Sequence, residues 1–117
     1  MSVTLYGIPN CDTVKKARAW LDAKKIKYRF HDFKKDGLDA KQLKGWVDQA
    51  GLEIVLNKAG TTFRKLPDAD KDGLTQAKAR KLMIENPSLV KRPVLEKDGR
   101  LFIGFKPDEY AVIFGKK

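Results

Sequence analysis

Apolar positions open the chain in a short, dense run. Val3-Thr4-Leu5-Tyr6-Gly7-Ile8 is rich in β-branched and aromatic residues and stops at Pro9-Asn10. That pattern predicts a buried strand ending in a turn. From Asp12 the period changes. Val14, Ala17 and Leu21 recur three and four apart, with Trp20 beside them, while Lys15, Lys16, Asp22 and Lys24 fall elsewhere. A helix is predicted over about 12–24. The segment from Lys27 to Phe33 alternates polar and apolar residues, the period of a half-buried strand. Strand, helix and strand within about thirty residues form a βαβ unit, for which a right-handed crossover is expected.

The pattern then becomes helical. Lys34-Lys35-Asp36-Gly37 reads as a loop. Asp39 followed by Gln42 reads as a capping box, with Leu38 and Leu43 placed to staple it. Leu43, Trp46, Val47 and Ala50 share one helical face, and Gly51 suits the position after the helix. The stretch from Asn57 to Gly73, broken by Gly60 and Pro67, is predicted to be irregular. Thr75 can cap a helix running through about Glu85 with Ala79, Leu82 and Met83 on one face, ended by Asn86-Pro87.

Strands return near the C-terminus. Val94 to Lys97 and Arg100 to Gly104 flank Asp98-Gly99, the strongest short hairpin signal. Pro107 opens a last helix with Tyr110, Val112, Ile113 and Phe114 as its apolar side. The predicted order is βαβ, helices, ββα. This is an α/β chain read as one domain over residues 1–117, with a helical insertion at about 34–90.

Composition narrows the function classes. A chain of 117 residues with 42% hydrophobic content can bury its own core. With one cysteine it can form no internal disulfide, which excludes a disulfide scaffold. No apolar run is long enough to predict a membrane span. The first residues show no basic segment ahead of an apolar one, so no leader is expected. A cytoplasmic monomer, where a lone thiol stays reduced, is the resulting expectation. The 25 Lys and Arg against 15 Asp and Glu give +10, a field that favours anionic partners. The excess is mostly lysine spread along the chain, so direct nucleic-acid binding is not expected. No metal site is expected either, since no residues show ligand spacing.

Cys11 carries the candidate chemistry. It follows a strand and a turn and stands at the start of a helix. There, unpaired N–H groups and the positive end of the helix dipole stabilise a thiolate, and Lys15 and Lys16 add positive charge. The thiolate is the nucleophilic form. The same residue also reads as a small buried hydrophobe. Cys11-Asp12-Thr13-Val14 contains no second cysteine, so no resolving partner lies within the chain. Arg92-Pro93 is a second signal. Arg92 offers a fork for a carboxylate or oxyanion, and Pro93 fixes the backbone at a strand entry. His31, the single histidine, lies mid-strand and reads as structural.

Gly7-Ile8-Pro9-Asn10-Cys11-Asp12-Thr13-Val14-Lys15-Lys16-Ala17, Trp20-Leu21, Asn86 to Val94 and Gly104-Phe105-Lys106-Pro107 together resemble the ArsC/Spx/YffB family, and the YffB branch of glutathione-dependent thiol reductases most of all. The resemblance implies a thioredoxin-like fold, with a four-stranded mixed sheet and an inserted helical part. It also implies a cis bond at Arg92-Pro93 beside the cysteine. Cys11 is then the catalytic nucleophile. Asn10, Thr13, Lys15, Arg92, Pro93 and Lys106 are the candidate substrate-binding residues, with glutathione as co-substrate. Arsenate reductases of the family place three arginines around the oxyanion. Here Arg92 matches the middle one, while Asn57 and Lys106 stand where the others fall. Losing two guanidinium forks weakens planar oxyanion recognition. The resemblance therefore implies a thiol reductase first, acting on glutathione or a glutathionylated substrate. An Spx-like protein that binds the RNA polymerase α subunit comes second, and an arsenate reductase third.

Overall fold

A computed structural model describes residues 2–116; residues 1 and 117, the ends of the expected domain, lie outside it. The chain divides into two compact units. One comprises Met1–Lys35 with Arg92–Lys117, and the other comprises Asp36–Lys91.

The first unit is built on a mixed sheet. Strands β1 (Val3–Gly7), β2 (Arg29–Asp32), β3 (Val94–Lys97) and β4 (Arg100–Ile103) lie in the order β2-β1-β3-β4. β1 and β2 run parallel, while β1–β3 and β3–β4 run antiparallel. Helix α1 (Asp12–Ala23) joins the parallel pair, and β4 leads to the last helix, Pro107–Phe114. This is the expected α/β, thioredoxin-like arrangement. The Asp98-Gly99 link has both residues at positive φ, 51° and 84°, the backbone that a tight two-residue hairpin requires.

The core follows the helical period. Val14, Ala17 and Leu21 are fully buried on α1. Val3, Leu5, Ala17, Leu21, Ile26, Leu95 and Tyr110 form one cluster, with Trp20, Phe30, Phe105 and Phe114 packed against it. Each buried leucine contributes about 1.5–3 kcal/mol over its exposed state. Tyr110 sits edge-on to Trp20 at 5.6 Å and to Phe105 at 4.7 Å. Its hydroxyl is buried without a hydrogen-bond partner among the described residues. Burial, aided by the Glu109 carboxylate, drives its pKa far above the usual phenol value. A buried orphan donor costs about 1–3 kcal/mol. Tyr110→Phe is therefore expected to leave the protein as stable as before or stabler by about 1 kcal/mol, a shift in denaturant midpoint at constant slope.

Several expectations need correction. Val112 does not join the apolar side of the last helix; it is 83% exposed. At about 100° per residue it stands some 200° round the helix from Tyr110. The predicted loop at Lys34–Gly37 is instead a helical turn, α2 (Phe33–Asp36). The Asp32 carboxylate accepts from the Lys34 N–H at 2.9 Å, and this local cap favours helix over loop. That turn also takes Phe33 out of the strand. β1 and β4 each end one residue earlier than predicted, and Gly104 leaves the strand with φ at 87°.

The second unit is helical. Helix α3 (Ala40–Ala50) begins at Asp39, whose carboxylate accepts from the Gln42 N–H at 3.0 Å, and ends at Gly51, with φ at 95°. Single turns follow at α4 (Leu52–Val55), α5 (Thr61–Arg64) and α6 (Asp68–Lys71), the last two within the stretch that the pattern predicts to be irregular. Helix α7 (Gln76–Glu85) is capped by the Thr75 hydroxyl, which accepts from the Lys78 N–H at 3.1 Å. The final helix, Pro107–Phe114, is α8. Among the described residues no helix is long and apolar enough to cross a membrane.

Candidate active site around Cys11

Strand register brings the site together. Tyr6 at the end of β1 pairs with Val94 at the start of β3. One further step along each strand brings the Pro9-Asn10 turn and Arg92-Pro93 to the same end of the sheet. The turn closes where the Cys11 N–H donates to the Ile8 carbonyl at 3.1 Å. Cys11 is then the cap residue of α1, with extended backbone angles of −83° and 125°. Its carbonyl accepts the first helical hydrogen bond, from the Lys15 N–H, at 2.9 Å. The thiol therefore stands over the unpaired N–H groups of the first turn.

The electrostatics favour the anion. The Cys11 thiol is half-buried. Burial pushes its pKa up, but the Val14 N–H, the hydrogen-bonded Arg92 guanidinium with its charge, and the Thr13 N–H together hold it below the ordinary thiol value. The uncharged thiol makes no capping hydrogen bond, so these groups act on the anion. The arrangement can supply a thiolate whose charge is already provided for.

The other predicted site residues are placed as follows. Asn10 lies exposed in the turn, and Thr13 and Lys15 are exposed on the first turn of α1. Arg92 is half-buried, and Pro93 is buried behind a cis Arg92-Pro93 bond. The Pro93 carbonyl accepts from the Gly104 N–H at 2.8 Å, which ties the strand entry to the end of β4. Lys106 is exposed at the start of α8. Arg92 is the cation brought to bear on the thiol. Asn57 belongs to the other unit. His31 lies in β2, its ring 5.0 Å from Tyr6 and 6.0 Å from Phe33. No group of acidic, histidine or cysteine residues suited to a metal occurs among the described residues.

Gly7 has a role that the sequence pattern did not suggest. A Cβ at this position would lie 2.7 Å from Cγ2 of Val14. Val14 is fully buried and stiff at χ1, and its N–H faces the thiol. The signal was a glycine closing a strand seven residues before the first buried helical position. Gly7→Ala should destabilise the fold by about 1–3 kcal/mol through overpacking. It should also slow alkylation of Cys11 at neutral pH, which iodoacetamide kinetics would measure.

Known proteins match this chain over most of its length. Residues 6–113 match the ArsC family. A solved YffB protein is 55% identical and superposes with a TM-score of 0.91, covering 95% of this chain and 97% of that one. An arsenate reductase (ArsC) related protein from Brucella melitensis is 56% identical with a TM-score of 0.78, covering 97% and 95%. The global transcriptional regulator Spx of Enterococcus faecalis is 33% identical over 109 residues, which are 92% of this chain and 82% of the regulator. The match takes in the cysteine turn, the Arg92-Pro93 entry and every strand but the first residues of β1, and the chain belongs to the ArsC family.

Proposed function

We propose that this chain is a glutathione-dependent thiol–disulfide reductase working through Cys11. One observation carries the reading: the Arg92 guanidinium and two helix N–H groups hold the half-buried thiol below its ordinary pKa. The Cys11 thiolate attacks the glutathione sulfur of a mixed disulfide. A Cys11–glutathione disulfide forms, and the substrate leaves as its thiolate. The thiolate of a second glutathione attacks the glutathione sulfur of that adduct. Oxidised glutathione departs and the Cys11 thiolate returns. With a single cysteine in the chain, the resolving thiol comes from solution. Arg92, with Lys106, meets a glutathione carboxylate, while Asn10, Thr13, Lys15 and the backbone at Pro93 line the approach.

The test is turnover of a glutathionylated peptide with reduced glutathione, with arsenate run in parallel. Turnover of the peptide with arsenate inert supports the reductase. Arsenate-dependent oxidation of glutathione with the peptide inert transfers the site to oxyanion chemistry.

The identity with a global transcriptional regulator favours a second reading, in which the chain binds the RNA polymerase α subunit and Cys11 serves as a sensor. Capture of purified α subunit at low salt, unchanged by oxidised glutathione, supports binding without the sensor role. Failure to capture it removes this reading.

A further inference from the structure

The end of the sheet opposite Cys11 has a character of its own. Val3, Lys97 and Arg100 stand in register there, and α1 delivers Lys24 and Lys25 to the same end. The first six residues after α1 include Lys24, Lys25 and Lys27. Lys25 takes positive φ, 57°, in the turn that ends α1, where its N–H donates to the Asp22 carbonyl and the Ile26 N–H to the Leu21 carbonyl, each at 3.0 Å. Of the nearby acids, Asp98 is engaged, its carboxylate accepting from the Ser2 N–H at 2.7 Å.

Two cavities open at this end, on either side of the last turn of α8. One of about 430 Å³ is floored by Ile26 and Phe114 and rimmed by Lys25, Lys27 and Lys116. The other, of about 160 Å³, is floored by Phe102 and Ile113 and rimmed by Lys97 and Arg100, with the outstanding Val112 at its edge. They adjoin through the consecutive residues Ile113 and Phe114. Each combines an apolar floor with a cationic rim. That pairing suits a polypeptide with apolar anchors and carboxylates between them. Single-stranded nucleic acid would call for open aromatic faces on which its bases stack. Here the Lys97 ammonium lies 5.6 Å over the Phe114 ring and donates to the Ile113 carbonyl at 3.0 Å, and the Lys24 ammonium lies 5.9 Å over Trp20.

We propose that this basic end of the sheet is a docking surface for an acidic segment of a partner protein that places one apolar residue in each of the two cavities beside α8. The surface is separate from Cys11 and stands or falls independently of the reductase reading.

The test is an NMR titration of the isotopically labelled chain with a synthetic twelve-residue peptide of glutamates carrying two spaced leucines. Polyglutamate of the same length and a single-stranded oligodeoxynucleotide serve as comparisons. The leucine peptide is expected to shift signals from Lys25 to Lys27, from Lys97 to Arg100 and from Val112 to Lys116, leaving Cys11 unmoved. It should bind at least fivefold tighter than polyglutamate. A Lys27→Glu, Arg100→Glu double variant should bind at least tenfold more weakly while keeping its dispersed spectrum, and Val112→Asp should weaken the leucine peptide more than polyglutamate. Shifts mapping elsewhere, equal binding of polyglutamate, unchanged affinity in the folded double variant, or tighter binding of the oligonucleotide would each overturn the proposal.

Discussion

Cys11→Ser is expected to lower glutathione-dependent turnover by about a thousandfold or more, to the solution background. A serine hydroxyl stays protonated near neutral pH and forms no disulfide, so both half-reactions are lost together. The loss cannot be assigned to misfolding. Cys11 caps α1 with extended backbone, and serine is a favoured residue at that position. Stability offers a second readout. The folded-state pKa of Cys11 lies below its ordinary value of 9.0. Ionisation therefore stabilises the native wild-type chain, fully above that ordinary value, and this contribution is lost as pH falls through the folded pKa. Relative to wild type, the serine variant should be favoured on the acid side and lose ground as pH rises towards 9.0. Chemical denaturation across that range would record the crossing trend. A gap that is flat with pH would mean that the native fold does nothing for the thiolate.

Arg92→Leu is expected to slow glutathione adduct formation on Cys11 at neutral pH by about tenfold, the size of one lost charge-assisted hydrogen bond. Leucine keeps apolar bulk where the arginine stem lies, so the half-buried position need not collapse. With the guanidinium gone, burial still pushes the thiol pKa up, and only the Val14 and Thr13 N–H groups remain to oppose it. The deficit should shrink as pH rises through the variant's own thiol pKa, because both proteins are then ionised. A deficit constant with pH would point to lost positioning of glutathione instead. Arg92→Lys should recover part of the rate, since an ammonium keeps the charge without the fork.

The sequence carried the sheet and the placement of Cys11 because their signals are local. Buried Val14, Ala17 and Leu21 repeat at the helical period, Asp98-Gly99 has the chemistry of a tight turn, and Cys11 stands where a strand has just turned into a helix. Asp39 and Thr75 announced their helices through side chains that do cap them. Non-local effects were harder to read. Pairing of Tyr6 with Val94 brings Arg92 to the thiol, and no pattern within either segment contains that register. Lys15 and Lys16 are adjacent in sequence, but both are exposed, and the distant Arg92 is the cation that acts on Cys11. Val112 was misread because four apolar residues within five positions hide the 200° that separates one of them from the core-facing tyrosine. The turns between 52 and 71 were missed for want of length, since a four-residue turn has no period to detect.

The central claim is that the fold makes Cys11 a thiolate poised for glutathione chemistry. Its most direct test is the rate at which reduced protein takes up glutathione from oxidised glutathione at neutral pH, followed by intact mass spectrometry beside Arg92→Leu and Cys11→Ser. A single adduct on the wild-type chain is predicted, forming well above the rate of an ordinary exposed thiol, about tenfold slower in Arg92→Leu and absent in Cys11→Ser. An adduct that forms no faster than on an ordinary thiol, or at the same rate without Arg92, would contradict the account.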